Sequence, residues 1–259
     1  MTRRRNVRRK TRKYHGGMDG LVPHCQCSSK CKRPTNKGDV FCTYHSQHGC
    51  PIKSPISKWN PDYNPDQYNN DPAIKTSHNC FAYALDYLDG QKIKKCRENN
   101  DCSFHVPGKT KNHPEFSGKM GKSCGDVIGR TMADIPNGYL TDFTSMCEPG
   151  FSKIGVVVDE KNDLHYYRQD KDDLTGEIKE QGYWSHKPGG RSVTNKDAIG
   201  ARIYRPDLAS RYYTSEGNGD NELNYNSFCS YMCVPRKNPG DQINPIQIAG
   251  RRYSRRKRR

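Results

Sequence analysis

The stretch of sequence that decides the fold is Ser77-His78-Asn79-Cys80-Phe81-Ala82-Tyr83-Ala84-Leu85-Asp86. Apolar side chains at positions 81, 84, 85 and 88 follow helical spacing, which predicts a helix over residues 80–88 with Gly90 as its stop. Cys80 is then the first helical residue, where free N–H groups and the positive helix end favour a thiolate. Such a thiolate is suited to nucleophilic catalysis, and the alternative is an inert buried or disulfide-bonded cysteine.

Histidines lie on predicted strands further along the chain. Residues 154–158 are β-branched and residues 164–168 alternate, with a polar turn between them, so they predict a hairpin that carries His165. Residues 182–186 form a further strand candidate that carries His186, and residues 201–204 form another. An imidazole beside Cys80 would serve as its general base, and either Asp170 or His186 could orient that imidazole.

The positive charge is concentrated at the two ends of the chain. The net charge is +16 over 259 residues, yet residues 1–13 and 251–259 together hold 15 of the 44 Lys and Arg residues and no acid. These segments predict contact with a polyanion, either DNA or an acidic protein surface, and the plainer alternatives are a nuclear address or added solubility. No apolar run is long enough to span a bilayer, and no apolar segment follows the basic start as it would in a secretory signal.

Cysteine and histidine are concentrated in residues 24–50. Without a secretory signal, metal ligation or reduced thiols are expected before disulfides for the 12 cysteines. The spacing of Cys27, Cys31, Cys42 and His45 predicts a structural zinc site, with a disulfide knot as the alternative. The remaining cysteines of the segment, at positions 25 and 50, could pair with each other or replace a ligand. The cysteines at positions 96 and 102 could form a loop disulfide, and the sequence does not assign the pairing of the others.

These patterns divide the chain into five parts. Residues 1–23 are a basic arm, residues 24–50 a zinc-knuckle-like cluster, residues 51–76 an extended Pro- and Asn-rich strap, residues 77–235 the core, and residues 236–259 a basic tail. The strap is expected to contain neither a helix nor a central strand. Residues 91–123 read as polar and irregular, and residues 124–133 as a second helix. The fold class is therefore α+β.

The combined motifs resemble a family of papain-like cysteine peptidase- and amidase-related proteins of large DNA viruses and some bacteria. The resemblance lies in residues 78–85, 164–170 and 184–189, with residues 61–66 and 228–235 in support, and Phe41-Cys42-Thr43-Tyr44-His45 resembles short viral zinc fingers. It implies a papain-like core with Cys80 as nucleophile, His165 as general base, and His186 ahead of Asp170 as third residue. In many such peptidases the base opens the preceding strand, where this chain has Lys153.

Two functions follow as hypotheses. One is a minor capsid or structural component of a virion, made in the host cytoplasm or nucleus, bound to other capsid proteins by its strap and arms and to viral DNA by residues 1–13 and 251–259. The low mean hydropathy, −1.08, and the proline-rich strap favour this role. The other is an active cysteine hydrolase that uses Cys80 and His165 on a protein or cell-wall substrate.

Overall fold

The computed structural model describes residues 24–36, 38–114, 116, 122–171, 183–213 and 223–236. The helices of this part are Thr43–His48 (α1), Asp66–Asn69 (α2), Pro72–Ser77 (α3), Cys80–Ala84 (α4), Gly90–Asn99 (α5) and Cys124–Asp134 (α6). The strands are Tyr139–Thr141 (β1), Phe151–Asp159 (β2), Asp163–Gln169 (β3), Trp184–Ser185 (β4), Tyr212–Tyr213 (β5), Leu223–Asn224 (β6) and Ser227–Pro235 (β7). The predicted α+β class is confirmed. The two predicted basic segments, apart from Arg236, lie outside the described residues.

A five-stranded antiparallel sheet forms the centre of the structure, in the order β1-β7-β2-β3-β4. The predicted hairpin is confirmed: β2 and β3 pair from Ile154 opposite Arg168 to Asp159 opposite Asp163. The chain then returns so that β7 lies between β1 and β2, which makes the last described strand a central one. β5 and β6 form a separate two-stranded ribbon.

Both faces of this sheet are covered, which explains the continuous burial of β2 and β3. One face packs against α4 and α6 through a core that includes Phe81, Val156 and Tyr166. The opposite face packs against the Cys-rich segment 24–50 and the loops after β4, through residues such as Val157 and Tyr167. Because successive strand residues point to opposite faces, neighbours such as the side chains at 166 and 167 belong to different cores.

The helix that begins at Cys80 is shorter than predicted. It ends at Ala84, because Asp86 adopts a left-handed conformation with φ of 54° that an α-helix cannot continue through. Arg236, at the end of β7, donates to the carbonyl oxygens of Ala84 and Leu85 and so caps the helix C-terminus. The prediction that Gly90 stops this helix is wrong. Gly90 begins α5 instead, and the N-cap residue Asp89 accepts hydrogen bonds from N–H groups of its first turn.

Two further element predictions are wrong in part. The strap contains α2 and α3, and α3 begins at a proline preceded by Asp71, whose side chain accepts from the Ala73 N–H. A proline at the first helical position is compatible with a helix, and the prediction treated it only as a helix breaker. The segment predicted as irregular contains α5. The predicted helix near residues 124–133 is confirmed as α6, and its N-cap is Ser123.

The strands predicted over residues 182–186 and 201–204 are shorter in the structure or replaced by isolated bridges. Gly182 lies outside the described residues, and β4 contains only Trp184 and Ser185. Residues 201–204 form no strand, but Ile203 makes an isolated bridge with Trp184, and Arg202 makes one with Lys196. None of the described helices is long and apolar enough to cross a bilayer.

Eight of the cysteines form disulfides, whereas metal ligation or reduced thiols were expected ahead of disulfides. The loop disulfide that the sequence allowed is present, and the four bonds are Cys27–Cys50, Cys96–Cys102, Cys124–Cys229 and Cys147–Cys233. The last two tie β7 to α6 and to the loop after β1, across separations of 105 and 86 residues. Connectivity of this kind depends on the tertiary fold, and the sequence does not reveal it.

We predict that a mild thiol reductant opens these bonds in an order set by burial. The Cys96–Cys102 bond is expected to open at least about tenfold faster than Cys147–Cys233, because Cys102 is half-buried whereas Cys233 is fully buried in the sheet. Rapid alkylation of the folded protein followed by peptide mass mapping measures both rates. Equal rates in the folded protein would contradict the prediction.

Candidate functional site

Cys80 lies where the sequence placed it, at the first turn of α4. The N-cap residue Asn79 accepts a hydrogen bond from the Ala82 N–H and donates to the carbonyl oxygen of His105, which fixes the start of the helix. The Cys80 side chain is only 5% exposed, and its Sγ contacts the backbone oxygen of Leu164 in β3 at 3.9 Å. Burial, with the carboxylate of Asp163 nearby, raises the pKa of Cys80 to about 12, so the thiol is protonated at neutral pH.

His165 and His186 are joined by a hydrogen bond of 2.7 Å between His165 Nε2 and His186 Nδ1. The second nitrogen of His186, Nε2, lies 2.9 Å from the carbonyl oxygen of Lys196. A carbonyl oxygen only accepts, so His186 Nε2 carries a hydrogen, and in the neutral ring Nδ1 is then the acceptor. The bond between the rings is therefore donated by His165 Nε2, which leaves a lone pair on His165 Nδ1. This chain of hydrogen bonds fixes the tautomer of both rings.

Burial also keeps both imidazoles neutral. It lowers the pKa of His165 well below its ordinary value, with a contribution from His186, and it lowers the pKa of His186 to about 4. The two rings are 3% and 1% exposed. At neutral pH the site therefore holds a neutral thiol and neutral imidazoles, whereas an activated cysteine nucleophile is a thiolate beside an imidazolium or a positive helix end.

Cys80 packs against one face of strand β3, whereas the side chain of His165 projects from the other face of that strand. Cys80 shares its apolar core with Leu164 and Tyr166, whereas the His165 ring packs against Tyr167 and Tyr225 in the direction of the other core. No hydrogen bond joins Cys80 to His165 or His186 in the described part of the chain. The structure brings the two histidines together, and it leaves the cysteine bonded to the strand backbone instead.

The other candidate for the third residue, Asp170, belongs to a different cluster. Its Oδ1 accepts from Arg168 Nε at 2.9 Å, and the same buried guanidinium donates to Asp86 at 3.0 Å. Among the described residues no hydrogen bond joins Asp170 to His165, and the Asp170 carboxylate pairs with Arg168 inside the core instead. Burial raises the pKa of Asp170 to about 6, although Arg168 opposes the shift.

Lys153 stands at the strand position where the resemblance leads us to expect a base. The side chain is buried, and its ammonium donates to Ser54 Oγ and to the backbone oxygens of Phe143 and Ser145 at distances of 2.5–3.0 Å. Burial lowers the pKa of Lys153 to about 8. These three bonds tie the strap and the loop after β1 to β2, so this lysine holds structure together on the face opposite α4.

A cavity of about 30 Å³ adjoins the two histidines. Its lining includes Tyr213 and Leu223, one from each strand of the β5–β6 ribbon, together with His165, His186, Pro188 and Tyr225. A space of this size holds about one water molecule and no substrate. Cys80 is not part of its wall, so the cavity does not connect the imidazoles to the thiol.

A second cluster, which we call the knuckle cluster, is formed by Cys25, Cys31, Cys42 and His45. All of their ligand atoms lie within 4.8 Å of one another. The Cys31 and Cys42 sulfurs are 3.8 Å apart, and His45 Nδ1 lies 3.1 Å from Cys25 Sγ and 3.4 Å from Cys42 Sγ. Two sulfurs bound to one tetrahedral zinc lie about 3.8 Å apart, so this donor set and spacing fit a structural zinc ion.

The structure corrects one predicted ligand. Cys27 forms a disulfide with Cys50 and is fully buried, and Cys25 takes the fourth position of the cluster instead. The two cysteines are two residues apart, so spacing alone allowed either choice. Burial opposes ionisation of Cys42, but hydrogen bonds from His45 and the neighbouring thiols lower the pKa of Cys42 to about 6. A thiolate is the form in which cysteine binds a metal.

One side chain that helps to attach the knuckle cluster to the core was not singled out from the sequence. Gln26 is 2% exposed; its Oε1 accepts from the backbone N–H groups of Tyr204 and Arg205, and its Nε2 donates to the oxygen of Arg202. With these three bonds the amide is nearly saturated, and the segment between two cysteines docks on the loop after β4.

Comparisons with known proteins give one similarity. No family model matches the chain, and no solved structure matches it. The chain is 28% identical over 150 residues to Insoluble matrix shell protein 1 of Ruditapes philippinarum, a match that covers 58% of this chain and 80% of that protein.

We predict that the purified protein binds one zinc ion through Cys25 and not through Cys27. Cys25→Ser should abolish stoichiometric zinc binding, because it removes a ligand from a four-membered site. The double variant Cys27→Ser/Cys50→Ser is the matched control, since it removes the neighbouring disulfide and should still bind about one zinc per chain. Elemental analysis after dialysis measures both, and loss of zinc only in the double variant would contradict the assignment.

We also predict that Cys80 is unreactive in the folded protein. With a pKa of about 12, its thiolate fraction at neutral pH is about 10³-fold lower than that of an ordinary cysteine, so alkylation should be slower by at least that factor. Iodoacetamide labelling of the zinc-loaded protein, with peptide mapping, measures the rate, and the denatured protein provides the fully labelled control. Labelling of Cys80 within seconds would show an activated thiolate instead.

Proposed function

We propose that this chain is a structural subunit of a durable assembly and that its core serves as a building block. The observation that carries the proposal is the state of Cys80, a buried neutral thiol that is bonded to strand backbone and not to an imidazole. A catalytic cysteine has to be both ionisable and accessible to substrate, and neither condition is met here.

The cross-links of the chain support the same role. Four disulfides and a four-ligand knuckle cluster occupy 11 of the 12 cysteines. Two of the disulfides tie α6 and the loop after β1 to strand β7, and the other cross-links are local to the knuckle segment and to the end of α5. Cross-linking on this scale favours mechanical and proteolytic durability. Disulfides persist in oxidising surroundings, so we infer an assembly that is oxidised during or after its formation.

We propose further that the core is papain-like. What supports this is the arrangement of α4, with a cysteine at its first turn, against an antiparallel sheet whose strand β3 carries a histidine bonded to a second histidine. A hydrolase ancestor with this arrangement would account for the position of Cys80 and the fixed tautomer of His165. The present environment of Cys80 favours retention of the fold without the activity.

We propose a virus particle as the assembly. The resemblance to proteins of large DNA viruses and the two basic segments, residues 1–13 and 251–259, support a virion component that contacts other capsid proteins and the packaged DNA. The similar protein of Ruditapes philippinarum is named for an insoluble shell matrix, which also suits a subunit locked into a lasting assembly. Synthesis in the host cytoplasm or nucleus belongs to the same proposal.

A second candidate function is supported by one specific feature. The lone pair on His165 Nδ1 is the form that a general base requires, and His186 and Lys196 hold it there. A second conformation that placed Cys80 against this nitrogen would make the chain a cysteine hydrolase.

One experiment with two readouts separates the candidates. Particles purified from infected cells should retain the protein through high-salt and detergent washes and release it after combined reductant and chelator, because these reagents remove the internal cross-links that keep each subunit folded in its place. Cys80→Ala should incorporate into particles normally, and wild-type and variant proteins should be equally inactive on a generic amide and on peptidoglycan fragments.

The opposite results are equally clear. Absence of the protein from washed particles would overturn the structural proposal. Hydrolysis by the wild-type protein that Cys80→Ala abolishes would establish the second candidate, and Cys96→Ser/Cys102→Ser serves as a control for non-specific effects of losing cysteines.

A further inference from the structure

Three exposed planar side chains lie together on the outer surface of the knuckle. Tyr44 in α1 is 48% exposed, and the His48 ring stacks on it with centroids 4.4 Å apart and an angle of 19° between the planes. The guanidinium carbon of Arg33 lies 4.9 Å from the centre of the same Tyr44 ring. We call Arg33, Tyr44 and His48 the planar patch. Large aromatic side chains are seldom left this exposed in a structure that otherwise buries its rings.

The planar patch is held in place before any ligand arrives. His48 Nδ1 donates to the backbone oxygen of Tyr44 at 2.9 Å, so the imidazole is fixed both by this bond and by the stack. The helix that carries both residues begins next to Cys42 and contains His45, two members of the knuckle cluster. A metal-bound knuckle therefore presents the rings on a rigid base, which reduces the entropy lost on binding.

The charges around the planar patch are mostly positive. Lys30, Lys32 and Arg33 are all exposed and flank Cys31 in the sequence, while the acidic side chain nearest in sequence, Asp39, is bonded to the amide of Asn36. A surface that combines cations with exposed planar groups has the chemistry that binds single-stranded nucleic acid: phosphates pair with the cations, and unpaired bases stack on aromatic rings and guanidinium planes.

We propose that the planar patch is a binding site for single-stranded nucleic acid, with bases stacked on the faces that this stack leaves open and phosphates paired with Arg33 and the lysines adjacent in sequence. Duplex DNA hides its base faces inside its own stack, so it could use only the cations. The proposal concerns the outer surface of the knuckle and stands whether the core is a structural subunit or a hydrolase.

The test uses the full-length, zinc-loaded protein, so that the basic segments are present in every variant and their contribution cancels. Binding of a labelled thymidine oligonucleotide of about 20 nucleotides is measured by fluorescence anisotropy over a series of salt concentrations. Tyr44→Ala should weaken binding about tenfold without changing the slope of log affinity against log salt, because it removes a stacking partner and no charge.

Three controls make the result specific. Tyr44→Phe keeps the ring and should bind within about twofold of the wild type. Phe104→Ala removes an aromatic side chain of similar exposure, 37%, outside the knuckle and should have no effect. Binding of polyglutamate, which has charge but no bases, should be the same for Tyr44→Ala and wild type. Zinc content of about one per chain confirms that each variant keeps its knuckle.

Two outcomes would overturn the proposal. If Tyr44→Ala binds the oligonucleotide as tightly as the wild type, nucleic acid contacts only charged groups. The second outcome is that the variant retains zinc but loses affinity for the oligonucleotide, for duplex DNA and for polyglutamate by the same factor. Tyr44 would then support a general cationic surface and not base stacking.

Discussion

The buried guanidinium of Arg168 is the interaction on which the rest of the structure depends. It is 1% exposed and pairs with Asp86 after α4 and with Asp170 after β3, and it also donates to the backbone oxygen of Asp62 in the strap. Its carbon lies 3.9 Å from the centre of the Tyr83 ring. One cation thus joins the strap, the helix that carries Cys80 and the strand that carries His165. Removing one partner of such a buried pair costs about 3–5 kcal/mol, since an uncompensated charge is left behind.

The cysteines have different structural roles on the two faces of the sheet. On the α4 and α6 face the apolar core is large, and a single long-range disulfide from α6 to β7 supplements it. The other face is covered by a polar, Cys-rich segment that has too few apolar side chains to form a core by itself. A disulfide and a cluster with metal-ligand spacing stabilise this segment internally, and the Gln26 amide bonds it to the loop after β4. Cys80 alone has no such partner, which is why its buried thiol stays neutral.

The chemistry around Cys80 connects the fold to the proposed role. A hydrolase has to keep a thiolate in reach of its base and of solvent, which costs stability because both groups resist burial. In this chain the Cys80 thiol, His165 and His186 are all buried and neutral. Burying them therefore lowers the stability of the fold little, and their packing contributes to that stability. A core in that state suits a subunit whose task is to persist, while the exposed rings and cations of the knuckle remain available to contact a partner.

Much of the fold could be predicted from local pattern. The α+β class, the β2–β3 hairpin, helix α6 and the start of α4 at Cys80 followed from the periodicity of apolar residues and from the polar turn of the hairpin, which act over a few residues. A metal-type cluster within residues 24–50 also followed from ligand spacing. The tertiary structure alone decided that Cys25 and not Cys27 joins that cluster, that Asp170 pairs with Arg168, and that His165 meets His186 and not Cys80. Each of these outcomes depends on contacts between segments that are distant in the sequence, and the spacing of residues within one segment does not reveal those contacts.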